Sequence, residues 1–151
     1  MSELTKRIFE SVEKYVEKEN RKYQPKRKNK DPEEDVVASH FNWYELNDWY
    51  MKRYESKAKN INGVWRSSGC APGTPDTLGS TPFGWLAAVE VKAPGRRSTL
   101  RPKQREFLIE VIRRHGFGVC SDSVAYLEKT WAHWLSLSQP ARVAFLLDEL
   151  P

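Results

Sequence analysis

Leu4, Ile8, Val12 and the pair Tyr15–Val16 recur at helical spacing, which predicts an amphipathic helix with one apolar stripe. A basic, proline-containing run over residues 22–30 follows. It reads equally as a solvated link and as an arm that touches phosphates. Asp31, Pro32 and Glu34 then spell a helix start: an N-cap, a first-turn proline and a capping-box acid. This helix is expected to reach Leu46, with Val37, Phe41 and Tyr44 inward. Trp49, Met51 and Arg53 alternate with Tyr50, Lys52 and Tyr54, a strand pattern that ends near Ser56–Lys57. The polar stretch 60–74 reads as a loop holding a short extended piece at Val64–Arg66. A second strand is predicted at Asp76–Leu78, a turn at Gly79–Gly84, and a central strand over Trp85–Ala93 that Pro94–Gly95 breaks.

Beyond that break, Phe107, Leu108, Val111 and Ile112 predict a helix from Pro102 to His115, stopped by Gly116. Phe117–Cys120 is short and apolar, as a buried strand would be. Ser121 or Asp122 is expected to cap another helix, with Val124, Leu127, Trp131 and Trp134 on one side. Ser138–Pro140 opens a terminal helix carrying Val143, Leu146, Leu147 and Leu150. The resulting order is that of an α/β fold, a mixed central β-sheet flanked by α-helices, with extra N- and C-terminal helices. Three regions follow: a basic extension over 1–30, a core over 31–132 and a C-terminal helix over 133–151.

A chain of 151 residues with 39% hydrophobic content can build one packed domain, which argues against general disorder. Its formal charge of +5 favours a polyanionic partner without specifying one. Cys70 and Cys120 form no metal-ligand spacing with His40, His115 or His133, so reduced thiols in a cytoplasmic protein are expected. No apolar run has the length of a membrane span.

The candidate chemistry lies at the end of the central strand. Side chains alternate faces in a strand, so Glu90 and Lys92 project together while Val89 and Val91 face the other way. Two charges ending so apolar a run need a reason, because a buried ion costs several kcal/mol unless paired or metal-bound. Asp76 and Glu90 can supply the oxygens that Mg²⁺ takes from protein, with the Val91 carbonyl as a further ligand. Lys92 is suited either to orienting and deprotonating a water or to offsetting charge on phosphorus. Alone, Glu-x-Lys is also what a salt-bridged strand end looks like.

Gly73-Thr-Pro-Asp76, then Glu90-Val-Lys92, then Gln104 on the following helix resembles the VRR-NUC branch of the PD-(D/E)XK nucleases. The resemblance extends over Asp31–Trp131, through Val36–Val37, Glu55–Ala58, Val89–Pro102 and Gly118. It implies a restriction-endonuclease-like core and metal-dependent DNA cleavage, with Mg²⁺ as cofactor and Mn²⁺ able to substitute. It assigns Asp76 and Glu90 to the metal, Lys92 to catalysis and Gln104 to support of the site. The family's first-helix acid maps onto Glu33, with Glu34 a competitor; both also suit a helix N-terminus. Stand-alone bacterial and phage members look like branched-DNA enzymes, including four-way junction resolvases that act as dimers.

Arg96, Arg97, Arg101 and Lys103 follow the candidate strand closely and are read, with Lys57, as DNA-backbone contacts. Trp65 and Tyr54 are read as packing aromatics ahead of base-stacking ones, and His40 and His133 carry no signal. The expected protein is a DNA endonuclease acting on branched or distorted duplexes. The alternative is a DNA-binding protein that keeps the fold without catalysis. A homodimer is expected, with the N-terminal and C-terminal helices offering apolar faces to a partner chain.

Overall fold

The computed structural model describes residues 31–54, 59–66 and 69–151. The predicted N-terminal helix, the basic run after it and Lys57 lie outside the described residues. Helix α1 (Pro32–Leu46) starts as its sequence dictates: the Asp31 carboxylate accepts from Glu33 N at 3.1 Å and proline takes the first helical position. Its inner face is Val36, Val37, His40, Trp43 and Tyr44; Phe41 is only partly buried. Asp48 takes a left-handed φ of 59° and turns the chain so that Trp49 N bonds Tyr44 O at 2.9 Å.

Strand β1 (Tyr50–Arg53) is shorter than its alternation suggests, and the bond from Tyr54 N to Asp76 O at 2.8 Å carries its pairing with the next strand one residue further. Where one extended piece was expected there is a hairpin: β2 (Lys59–Ile61) pairs antiparallel with β3 (Val64–Arg66). Asn62 and Gly63, with φ of 53° and 81°, make the two-residue turn that hairpin twist favours. Strand β4 (Thr77–Ser80) extends into residues expected to turn, and β5 (Leu86–Val91) is the predicted central strand, shortened at both ends. Strand β6 (Phe117–Ser121) completes a sheet in the order β1-β4-β5-β6. The first three strands are antiparallel neighbours and β5-β6 is parallel.

The parallel pair requires a crossover, supplied by helix α2 (Pro102–Arg113), which packs on β5 and β6. It ends two residues before the expected His115. His115 adopts the left-handed conformation, bonding Ile112 O, and Gly116 N reaches back to Val111 O at 2.9 Å. Helix α3 (Val124–Ser136) is capped by Ser123, not by Ser121 or Asp122, with Ser123 Oγ accepting from Tyr126 N at 3.2 Å. Helix α4 (Gln139–Glu149) closes the chain. The expected boundary at residue 132 therefore falls inside α3, and the C-terminal helix belongs to the core. Leu146 and Leu150 are buried and α4 packs on α2, α3 and β6, so its apolar face is spent within the chain and not offered to a partner.

The described residues thus form a mixed α/β domain, a four-stranded mixed sheet with four helices. At the start of β5 the core is aromatic: Trp49, Phe117, Trp131 and Trp134 meet edge-to-face or stacked, with Trp85 against the last two. Ala87, Ala88, Val89 and Val91 are wholly buried along the strand. No helix among the described residues is long and apolar enough to cross a membrane.

Candidate active site

At the other end of β5 the core contains charge. Thr77 lies opposite Val89 in the β4-β5 register, which brings Asp76 across from Glu90. The two residues interlock: Val91 N donates to Asp76 Oδ2 at 2.9 Å, and Asp76 N donates to Glu90 Oε2 at 3.3 Å. Val91 therefore meets Asp76 through its N–H, where the sequence had suggested only its carbonyl. Glu90 is 1% exposed and Lys92 8%, and Lys92 Nζ donates to Glu90 Oε1 at 2.5 Å. Gln104, from the first turn of α2, donates its amide to the same oxygen. Its own carbonyl accepts from Arg101 N at 3.0 Å, which fixes the amide's orientation.

The electrostatics follow from burial. Loss of water, then the charge of Asp76, raises the Glu90 carboxyl to about 7 against the help of Lys92. Burial pulls the Lys92 ammonium down, but the hydrogen bond to Glu90 and the charges of Glu90, Asp76 and Glu33 outweigh it, so its pKa is raised. Glu33 acts on Lys92 from the start of α1, whereas Glu34 ion-pairs with Arg53 of β1.

These residues can be tested against a divalent cation by counting lone pairs. Glu90 Oε1 is saturated by Lys92 and Gln104, while Oε2 and Asp76 Oδ2 each receive one recorded donor. Unused lone pairs remain on both carboxylates, all on hard oxygens, and negative side chains outnumber Lys92. That suits Mg²⁺ or Mn²⁺, which take one or two protein carboxylates and leave the remaining positions to water and phosphate. Glu33, expected at the metal, lies close enough for its charge to act on Lys92, and among the described residues no three His, Cys, Asp or Glu side chains gather together.

Matched against family models, curated proteins and solved structures, the chain has no counterpart in any of the three. The reading of the site therefore rests on its own geometry.

Of the expected DNA contacts, Arg96, Arg101 and Lys103 are exposed near the site. Arg97 is a correction. Its guanidinium donates to Cys120 O at 2.9 Å, Tyr126 Oη at 2.5 Å and Glu149 O at 2.7 Å, and it lies over the Tyr126 ring. Those bonds tie the turn after β5 to β6, α3 and α4, and leave Arg97 a structural cation.

Three neighbours of the site went unread in the sequence. His40 is wholly buried; its Nδ1 donates to Val36 O at 2.8 Å, and its Nε2 lies 2.8 Å from Ser121 Oγ. Burial lowers its pKa, and the single Ser121 hydroxyl proton is shared between Nε2 and Ser123 O, which lies 3.0 Å from Ser121 Oγ. Ser121 is the β6 partner of Val91, and its carbonyl accepts from Lys92 N at 2.9 Å. On the other side, Thr77 Oγ1 donates to Val89 O at 3.1 Å and accepts from Tyr44 Oη at 3.0 Å. Helix α1 thus holds both strands beside the charges. The available signal was spacing: His40 falls on the stripe of Val36, Val37 and Tyr44, where a polar residue must find a partner.

Proposed function

We propose that this chain is a divalent-metal-dependent DNA endonuclease of the VRR-NUC type, with a restriction-endonuclease-like core, that hydrolyses phosphodiester bonds in branched or distorted duplexes. The observation that carries the reading is the interlock of Asp76 and Glu90 around a buried Lys92. An ordinary strand-end salt bridge needs neither the second carboxylate nor Gln104, and Asp76 makes the Glu90 carboxylate harder to ionise. A site that accepts this penalty is built for something positive that comes and goes.

Asp76 and Glu90 would hold Mg²⁺ or Mn²⁺, which when bound supplies Lewis acidity toward phosphate and water. Lys92, kept as an ammonium by three carboxylates, serves as donor to a non-bridging phosphate oxygen, so charge stabilisation is favoured over the general-base role. Gln104 holds Glu90 in place, and the exposed Arg96, Arg101 and Lys103 take the flanking phosphates. Net charge of +5 suits the polyanion. Asp76→Asn and Glu90→Ala should each lower cleavage of a labelled four-way junction by about 10³-fold or more with Mg²⁺, and chelator should abolish it. Parent-like cutting by either purified variant would refute the assignment. A homodimer is part of this proposal; with the C-terminal helix face internal, its contact must lie elsewhere, and light scattering reads it directly.

A further inference from the structure

The four-stranded sheet is left after Tyr54 and rejoined at Asp76, and these two ends are pinned together by the bond from Tyr54 N to Asp76 O at 2.8 Å. This excursion is therefore rooted on the main chain of a residue of the candidate site. Its returning leg lies on the start of α2: Gly73 has φ 91°, and a Cβ there would meet Lys103 O at 2.6 Å. Between leg and helix is a cavity of about 540 Å³, lined by Cys70, Pro72, Arg101, Lys103 and Gln104.

The β2-β3 hairpin in this excursion has no core of its own. Trp65 is 71% exposed, Val64 58% and Ile61 50%, so the expectation that Trp65 packs inside is overturned. An exposed tryptophan on a two-stranded ribbon needs a partner of definite chemistry. The charge pattern names it: Lys59 pairs with Arg66 across the strands, Lys57 precedes them, and no acidic residue occurs from Ser56 to Pro75. An exposed aromatic on one face of a ribbon, next in sequence to Arg66 on the other face and in a segment free of carboxylates, is the composition that stacks on bases and draws in the phosphates beside them.

We propose that the β2-β3 hairpin is a base-stacking probe for DNA, with Trp65 seated on an unstacked base and Arg66, on the ribbon's other face, turned to the phosphate backbone. The inference rests on the nuclease reading and deepens it, because a continuous duplex has no base to offer while a branch point does. Structure selectivity then resides in this hairpin, which precedes in sequence the residue that would hold the metal.

The test is the ratio of junction to continuous-duplex affinity, measured in chelator with the Asp76→Asn protein and a 2-aminopurine placed at the branch. Adding Trp65→Ala should lower that ratio by about fivefold or more and restore the 2-aminopurine emission, while Trp65→Phe retains most of both. An unchanged ratio, or unchanged quenching, overturns the proposal and leaves the hairpin a protein-contact surface. Because binding is read without metal, the two proposals fail separately. A parent that stacks but never cuts sinks the nuclease, and one that cuts with the ratio insensitive to Trp65 sinks the probe.

Discussion

The two ends of strand β5 are built by opposite rules. At its start, Trp85, Trp131 and Trp134 with Phe117 fill space with aromatic surface, which is stabilising wherever water is excluded. At its end, Glu90 and Lys92 with Asp76 bring charge into an equally dry setting, where it opposes folding unless compensated. One end is thus the anchor and the other is the part of the molecule held in place by that anchor. The difference teaches where to look for function: at the end whose cost the fold has no structural reason to bear.

That contrast can be broken by substitution. Truncating Trp134, which is 2% exposed, should cost about 3–5 kcal/mol in denaturant unfolding, with the remaining folded protein still competent in cleavage. A loss under 1 kcal/mol would mean that the aromatic end is not the anchor.

A smaller effect comes from pH, where two buried groups work against each other. The folded-state pKa of His40 is depressed below 6.5, so its stabilisation is present above that pH and is lost on acidification. The carboxyl of Glu90 is raised from 4.5 to about 7, so the folded state takes up the proton first and gains stability as pH falls through that window. The parent profile should therefore be nearly flat between these values. His40→Asn removes one arm, and its stability should rise as pH drops from 7 to 5, by up to about 1.4 kcal/mol per unit. A variant profile that falls on acidification would contradict the burial ascribed to Glu90.

The smallest effect has the most telling sign. Asp76→Asn keeps an acceptor for Val91 N and removes the charge that opposes Glu90, so it should stabilise the protein by about 1 kcal/mol while cleavage is lost. Destabilisation in a thermal melt would show that the carboxylate supports the fold after all.

Periodicity and capping made the helices and the central strand legible, because Asp31–Pro32, Gly116 and the run Leu86–Val91 obey local rules. Asp76, Glu90, Lys92 and Gln104 were legible together because strand alternation and one helical turn bring them close. What stayed hidden depends on distant partners. Arg97 looks like its basic neighbours until Glu149, at the far end of the chain, takes its hydrogen bond. The terminal leucines look available to a partner until α2 and β6 cover them. Trp65 was misread for the converse reason: hydrophobicity suggests burial, and only the fold shows its ring largely exposed. The cap of α3 went to Ser123 because Ser121 is drawn into the strand by Val91 and His40.

The bond that joins Tyr54 to Asp76 closes the excursion at its neck, so strand pairing on either side does not depend on the length or content of what lies beyond. The turn at residues 81–85 has no such freedom, since one added residue there would carry a valine into the position of Glu90. Variation in this architecture therefore has a designated socket, in which one ribbon can be exchanged for another while the charged end of the sheet keeps its alignment.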